Sequence, residues 1–131
     1  MGAGLRITVE AARAFFMHPS QRVFGLLPEF LPDDPFQYWA AGSVCLSFHP
    51  GELPGVWMTH IAANPSGWGR LDGDVSRVLH AFFEESKADV IMAWIPATLR
   101  HSVSLSRRVG FEEIGRFRTT IGEIIITTWR A

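Results

Sequence analysis

The chain has 131 residues, of which 47% are hydrophobic and 19% are charged, and its formal net charge is −1. This length and composition indicate one compact domain, residues 1–131, and exclude an intrinsically disordered chain. The small net charge gives no reason to expect a nucleic-acid partner, no apolar run approaches the length of a membrane helix, and the single Cys45 excludes an internal disulfide and favours a cytoplasmic protein.

The first 37 residues combine a short strand, a short helix and a proline-rich segment. Residues 5–9 alternate apolar and polar side chains, as a half-buried strand does. Residues 10–17 predict one short helix that ends before Pro19. Four prolines in residues 18–37 exclude a long helix there, so this segment is predicted to be irregular with at most short helical turns.

The next segments predict strands on either side of a loop. Residues 38–48 are typical of one or two strands, with Gly42 as a turn or bulge. Residues 49–55 have the composition of a loop, and residues 56–63 predict the following strand.

From residue 71 onwards, helices and strands alternate. The 3.6-residue period of a helix with one buried face is visible at Leu71, Val75, Val78, Leu79 and Phe82. The apolar run 90–95 predicts a central strand covered on both faces. A second helix is predicted over residues 101–109 with Gly110 in the left-handed conformation after it, and two strands flank Gly122. This order predicts a mixed sheet in an α/β or α+β domain.

A glycine-rich turn lies between the strand over residues 56–63 and the helix that follows. It contains Gly67, Gly69 and Gly73. Such a turn at a helix start exposes backbone N–H groups and the positive end of the helix dipole, and both suit a phosphate. The turn therefore predicts a nucleotide-type ligand with a pyrophosphate, without identifying that ligand.

Two segments carry a resemblance to a known family: IAANP, which ends at Pro65, and SLSRRVGFEEIG, which contains Gly110 and Phe111. Together with the turn they resemble the Gcn5-related N-acetyltransferases (GNAT superfamily), in which a strand ending in proline precedes a phosphate-binding turn and a later helix ends in Gly-Phe. The chain looks similar to compact, diverged members found in phages and prophages. The resemblance implies a GNAT-like mixed, mostly antiparallel central sheet flanked by helices. It also implies acetyl-CoA as the acetyl donor and a small-molecule or peptide amine as the acceptor.

The family's phosphate-binding turn, Arg/Gln-x-x-Gly-x-Gly/Ala, matches this chain in two registers. Anchoring on Pro65 places the motif on residues 68–73, whereas the glycines alone match residues 64–69 better. The Pro65 register preserves the distance to Gly110, and we prefer it. It implies a cofactor-binding set made of strand residues, through their backbone N–H groups, and turn residues: Ile61, Ala62, Ala63, Trp68, Gly69, Arg70, Leu71 and Gly73.

Two side chains are candidates for proton transfer. His60 lies on the strand before the turn, and an ordinary histidine pKa of about 6.5 would suit removal of a proton from the amine. The alternative is a strand histidine that only makes a hydrogen bond. The family's tyrosine, which protonates the leaving CoA thiolate, is replaced here by Ser106. A serine hydroxyl is a poor general acid, so another group or water supplies that proton, or the protein does not catalyse the transfer.

Other charged residues are weaker candidates. Glu52 is an alternative base, and Glu29 or Asp33 is an alternative partner for a cationic amine. The arginines that would meet CoA phosphates are Arg70, Arg77, Arg107 and Arg108. No cluster has the spacing of a metal site, so no metal is expected.

Three hypotheses for function remain open. The first is an acetyl-CoA-dependent N-acyltransferase in which the amine attacks the bound thioester directly. The second is a catalytically silent GNAT-fold binding or assembly module, for example in a phage or prophage. The third is an unrelated α/β ligand-binding protein. The apolar final strand, EIIITTW, is also a candidate for pairing across a subunit edge, which would give a homodimer.

Overall fold

The structure is a computed structural model that describes residues 4–17, 27–63 and 71–131. Within these ranges the elements, in chain order, are β1 (Leu5–Ile7), α1 (Val9–Ala12), β2 (Gln37–Ala41), β3 (Val44–Pro50), β4 (Val56–Ala63), α2 (Asp72–Ser86), β5 (Val90–Pro96), α3 (Arg100–Arg108), β6 (Glu112–Thr119) and β7 (Gly122–Trp129). Two 3₁₀ turns, Arg13–Phe16 and Pro28–Phe30, accompany them. The described helices include no candidate for a membrane span.

The described strands form one sheet in the order β1-β2-β3-β4-β5-β7-β6. The β4–β5 pair is parallel and the other pairs are antiparallel. Helix α2 provides the crossover that two parallel neighbours need. The predicted mixed, mostly antiparallel sheet flanked by helices is confirmed.

One face of the sheet, which we call the helix face, packs against α2 and α3 and carries the larger core. Phe82 of α2 stacks on Phe48 of β3 with ring centroids 3.7 Å apart. Trp39 and Trp57 meet the same ring edge-on, at 5.7 and 5.1 Å. The predicted buried stripe of this helix is confirmed at Val75, Val78, Leu79 and Phe82.

The other face, which we call the opposite face, is partly covered by α1 and the 3₁₀ turn after it. Phe16 of that turn lies 6.0 Å from the Tyr38 ring and 6.1 Å from the His60 ring, measured between centroids. The Tyr38 hydroxyl donates a hydrogen bond to the Pro32 carbonyl at 2.6 Å and so fixes the chain before β2. This second core lies over β2, β3 and β4, because its sheet residues are Tyr38, Cys45 and Ala62.

Two predicted boundaries in the first half are wrong. β1 ends at Ile7 and not at residue 9, because the Thr8 hydroxyl accepts a hydrogen bond from the Ala11 N–H at 3.1 Å and caps α1. β3 extends to Pro50, since His49 and Pro50 still pair with β4, so the loop predicted over residues 49–55 is shorter.

Two predictions about the later strands are also wrong. β5 is not covered on both faces, because Trp94 is 51% exposed on the opposite face. β7 lies between β5 and β6, so this strand cannot pair across a subunit edge. The strands at the edges of the sheet are β1 and β6. A homodimer therefore stays a prediction and would have to use another surface.

The predicted turns are confirmed where the structure describes them. Gly110 follows α3 with a φ of 105°, and Gly42 lies between β2 and β3 with a φ of 56°. The described part of the proline-rich segment contains one 3₁₀ turn, Pro28–Phe30, as expected of an irregular stretch. Residues 18–26 of that segment lie outside the described residues.

Candidate active site

Strands β4 and β5 separate part of the way along their length. Their pairing joins Val56–Met58 to Val90–Met92 and extends no further, although β4 continues to Ala63 and β5 to Pro96. β3 stays paired with β4 as far as Ala63. The sheet therefore has an opening between the last residues of β4 and β5. Because backbone groups alternate in direction along a strand, every second residue of β4 beyond Met58 turns its N–H and C=O toward this opening.

Helix α2 begins after β4, on the helix face, with an uncapped first turn. Its N-cap residue is Leu71, whose side chain makes no capping hydrogen bond. The first bond of the helix runs from the Val75 N–H to the Leu71 carbonyl at 2.9 Å, so the N–H groups of residues 72–74 have no helical acceptor. These donors and the positive end of the helix dipole favour an anion at this position.

Two carboxylates lie in the first turn of α2, and each has an arginine partner. Asp72 accepts two hydrogen bonds from Arg108 at the end of α3, at 2.9 and 3.1 Å. Hydrogen bonding from Arg108 lowers the pKa of Asp72, so the carboxylate is charged at neutral pH. Asp74 forms an ion pair with Arg77. These pairs offset negative charge that would otherwise repel a phosphate at the same helix end.

The arginines predicted to meet phosphates are therefore already engaged where the structure describes them. The Arg107 Nη2 lies 3.7 Å from the Glu113 Oε1. Arg77 is paired with Asp74 and Arg108 with Asp72, as described above. The Asp72–Arg108 pair was not predicted, because nothing local in the sequence connects two residues 36 positions apart.

His60 lies on β4 beside the opening, with its side chain on the opposite face against Phe16. Burial lowers the pKa of His60 to about 3, because the charged imidazolium is poorly solvated there. The ring is therefore neutral at pH 7 and is a weaker base than an ordinary histidine. Its position fits the predicted role as a base, but its pKa does not favour that role, which stays a prediction.

Ser106 lies on α3 and is only 3% exposed. Its hydroxyl donates a hydrogen bond to the Val103 carbonyl at 2.7 Å, one turn earlier in the same helix. The hydroxyl proton is thus already bound to a backbone acceptor. A role for Ser106 in protonating a thiolate stays a prediction, and this geometry disfavours it.

The predicted cofactor-binding residues that the structure describes lie at one end of the sheet. Ile61 and Ala63 turn their side chains to the helix face and Ala62 to the opposite face, at the end of β4. Leu71 and Gly73 lie at the start of α2. Trp68, Gly69 and Arg70 are outside the described residues, so the register of the glycine turn remains open.

The weaker candidates lie away from the opening. Glu52 is in the loop before β4, at the end of that strand remote from Ala63, which argues against it as the base. Asp33 lines a surface cleft of about 540 Å³ together with Glu10, Phe36 and Tyr38. That cleft is beside β1 and β2, on the far side of β3 from the opening, so its size does not make it the active site.

Comparisons with known proteins give the fold but no sequence family. No protein-family model and no curated protein matches the chain. Among solved structures, the aminoglycoside acetyltransferase AAC(6')-Ib, in a complex with acetyl-CoA, is 14% identical with a TM-score of 0.72, covering 96% of this chain and 91% of that one.

Two further structures agree. A ribosomal-protein-alanine N-acetyltransferase from Brucella melitensis is 18% identical with a TM-score of 0.69, covering 96% of this chain and 98% of that one. A GNAT-family acetyltransferase from Bacillus anthracis is 14% identical with a TM-score of 0.68, covering 98% and 95%. The chain therefore has the fold of an acetyltransferase, and specifically the GNAT fold. The expected similarity to phage and prophage proteins finds no support in these comparisons.

Proposed function

We propose that the protein is an acetyl-CoA-dependent N-acyltransferase. The observation that carries this proposal is the opening between β4 and β5 in a GNAT fold, at the same end of the sheet as the uncapped start of α2, where Asp74 lies against Gly42. An elongated ligand with a phosphate at one end and a reactive group at the other has a binding partner at each of these two places. The charge-paired Asp72 and Asp74 remove the main electrostatic objection to a phosphate there.

The described residues fit acetyl-CoA at both ends of the site. The N–H groups of residues 72–74 suit the pyrophosphate, and the backbone at the end of β4 suits the thioester carbonyl. Bound acetyl-CoA would supply an activated acetyl group: the amine nitrogen forms a bond to the carbonyl carbon, and the bond from that carbon to sulfur breaks.

The protein contributes mainly position and polarisation in this proposal. A backbone N–H from Ile61 to Ala63 would donate a hydrogen bond to the thioester oxygen, where negative charge grows during attack. His60, neutral and beside the opening, would help to position the amine. The low pKa of His60 makes it a weak base, and the Ser106 hydroxyl is bound to the Val103 carbonyl. The proton released by the amine therefore passes to water or to the departing thiolate.

A second function, a catalytically silent binding or assembly module, has one observation in its favour. Ser106 stands where the family has its tyrosine, and its hydroxyl is already bound to Val103. A role in phage or prophage assembly would belong to this second function. Its expected signature is acetyl-CoA binding without turnover.

The test of the proposed function is release of free CoA thiol from acetyl-CoA, measured with a thiol reagent while a panel of primary amines is supplied. The panel needs small amines and short peptides with free N-termini, because the matched enzymes act on an aminoglycoside and on a ribosomal protein. Amine-dependent thiol release, with acetylated product seen by mass spectrometry, is the expected result. Binding of acetyl-CoA with no release for any amine would favour the silent module.

Ser106→Ala should lower the activity only modestly. The buried hydroxyl donates to Val103 and not into the opening, so we expect kcat to fall by less than about tenfold, short of the roughly 100-fold or more that a general acid contributes. The measurement is steady-state kcat at saturating acetyl-CoA. A loss of 100-fold or more with an unchanged melting temperature would contradict this expectation and restore Ser106 as the acid.

Gly73→Ala should raise the stability of α2 and at the same time lower the affinity for acetyl-CoA. An added Cβ has room, since the nearest atom is the Arg77 Nη1 at 3.6 Å, and alanine in this first turn should stabilise the helix by at most about 0.5–1 kcal/mol, the value for a helix interior. The same methyl group stands in the way of close approach by a phosphate, so acetyl-CoA should bind more weakly. Thermal unfolding and an acetyl-CoA titration of the variant check both effects. Unchanged affinity would remove Gly73 from the cofactor site.

A further inference from the structure

Two aromatic side chains form an exposed wall on the opposite face, and we call Trp94 of β5 with Phe117 of β6 the aromatic wall. Trp94 is 51% exposed and Phe117 is 36% exposed. Their ring centroids are 5.2 Å apart with an interplanar angle of 74°, the edge-to-face contact that aromatic pairs prefer. Within the described part of the chain, the second core covers only β2, β3 and β4 and leaves this wall open.

The aromatic wall is continuous with the opening between β4 and β5. The last residues that pair across these strands are Met58 and Met92. Two residues further along each strand are His60 and Trp94, and side chains two apart share a face. His60 and Trp94 therefore flank the opening from its two sides on the opposite face, whereas α2, with its phosphate-binding end, packs on the helix face.

The surface around the aromatic wall is apolar. On β4, β5 and β7 the residues that share this face and are not buried carry no carboxylate and no permanent cation: Met58, His60, Met92, Trp94, Ile126 and Thr128. The first carboxylate on this face of β6 is Glu112, which pairs with Thr128 near the other end of the strands. A polycation would find no fixed negative charge on the opposite face of these three strands, whereas an aromatic or aliphatic group would bury apolar surface against Trp94.

We propose that the aromatic wall binds the acceptor, and that the acceptor is a primary amine carried on an aromatic or other apolar group. This inference rests on the proposed function and adds the substrate class to it. The apolar body lies against Trp94 and Phe117 while the amine reaches the opening beside His60. Apolar surroundings disfavour the charged ammonium form, so the same wall favours the neutral amine that can attack a thioester.

The experiment uses 2-phenylethylamine and spermidine as the two amine probes with the full chain. Binding of each is measured by calorimetry with and without acetyl-CoA, and kcat/KM is measured for both. The wild type should prefer 2-phenylethylamine. Trp94→Ala should weaken binding and lower kcat/KM for 2-phenylethylamine by about tenfold or more, the usual effect of removing a large apolar contact from a pocket. Trp94→Phe should restore most of the loss.

The matched control is Ile121→Ala, which truncates an apolar side chain that is 65% exposed in the turn between β6 and β7. It should leave the binding and the kcat/KM of both amines unchanged. The affinity for acetyl-CoA should be unchanged in Trp94→Ala, Trp94→Phe and Ile121→Ala. The inference would be overturned if Trp94→Ala bound 2-phenylethylamine as tightly as the wild type does, or if the wild type preferred spermidine. A wild-type dimer that dissociates in Trp94→Ala would also overturn it, by showing that a second copy covers the wall. Failure of the wild type to bind acetyl-CoA would instead contradict the proposed function. The amine titrations would still show whether the aromatic wall binds an apolar amine.

Discussion

Phe82→Ala is expected to lower the free energy of unfolding by about 3–5 kcal/mol, a large part of the stability of a domain of this size. The Phe82 ring is fully buried and stacks on Phe48 at 3.7 Å, with Trp39 and Trp57 against its edges. Removing it leaves a cavity between α2 and the sheet that three rigid aromatic rings cannot close. Urea unfolding followed by circular dichroism measures the loss.

Phe30→Ala is the matched control, because that ring is 76% exposed. We expect a change within about 0.5 kcal/mol for this variant. A cost below about 1 kcal/mol for Phe82→Ala would mean that α2 does not pack on the sheet as described. Loss of the packing would also misplace the helix start at Asp72, so acetyl-CoA affinity should fall together with stability.

Stability should decrease in mild acid because of His60. Burial lowers the pKa of His60 to about 3, whereas a histidine in the unfolded chain titrates at about 6.5, so between these values the unfolded state binds the proton. The stabilisation is complete above the unfolded pKa and is lost as the pH falls. We expect the free energy of unfolding to be about 2 kcal/mol lower at pH 5 than at pH 7 from this group alone.

The measurement is urea unfolding of the wild type and His60→Asn at several pH values between 5 and 7. Burial also lowers the pKa of His49, which contributes in the same direction, so the difference between the two proteins isolates His60. The variant should lose less stability on acidification. If the free energy of unfolding of wild type and variant depended on pH in the same way, His60 would be accessible to protons in the folded state. It would then again be a candidate general base.

The order of helices and strands from residue 56 onwards was predictable because its signals are local. The stripe Val75, Val78, Leu79 and Phe82 specifies one face of α2, and Gly110 specifies the end of α3. The order of these elements predicted a mixed sheet, and the GNAT-like form of that sheet was implied by the family resemblance of the segments around Pro65 and Gly110.

Features that depend on distant residues could not be predicted in this way. A continuous apolar run such as that of β5 has the same pattern whether both faces are covered or one is open, so the exposure of Trp94 was missed. The position of β7 between β5 and β6 and the contact of Asp72 with Arg108 depend on how the chain returns to the sheet. The low pKa of His60 arises from burial that no local pattern encodes.

The central claim is that the start of α2 and the opening between β4 and β5 form one acetyl-CoA site. Isothermal calorimetry with acetyl-CoA tests it most directly, with free CoA and desulfo-CoA as comparison ligands. The account predicts saturable binding at one site per chain, weakened by added salt because phosphate recognition is electrostatic. Absence of binding at ligand concentrations on the order of 1 mM, the upper end of the usual range of enzyme KM values, would contradict it.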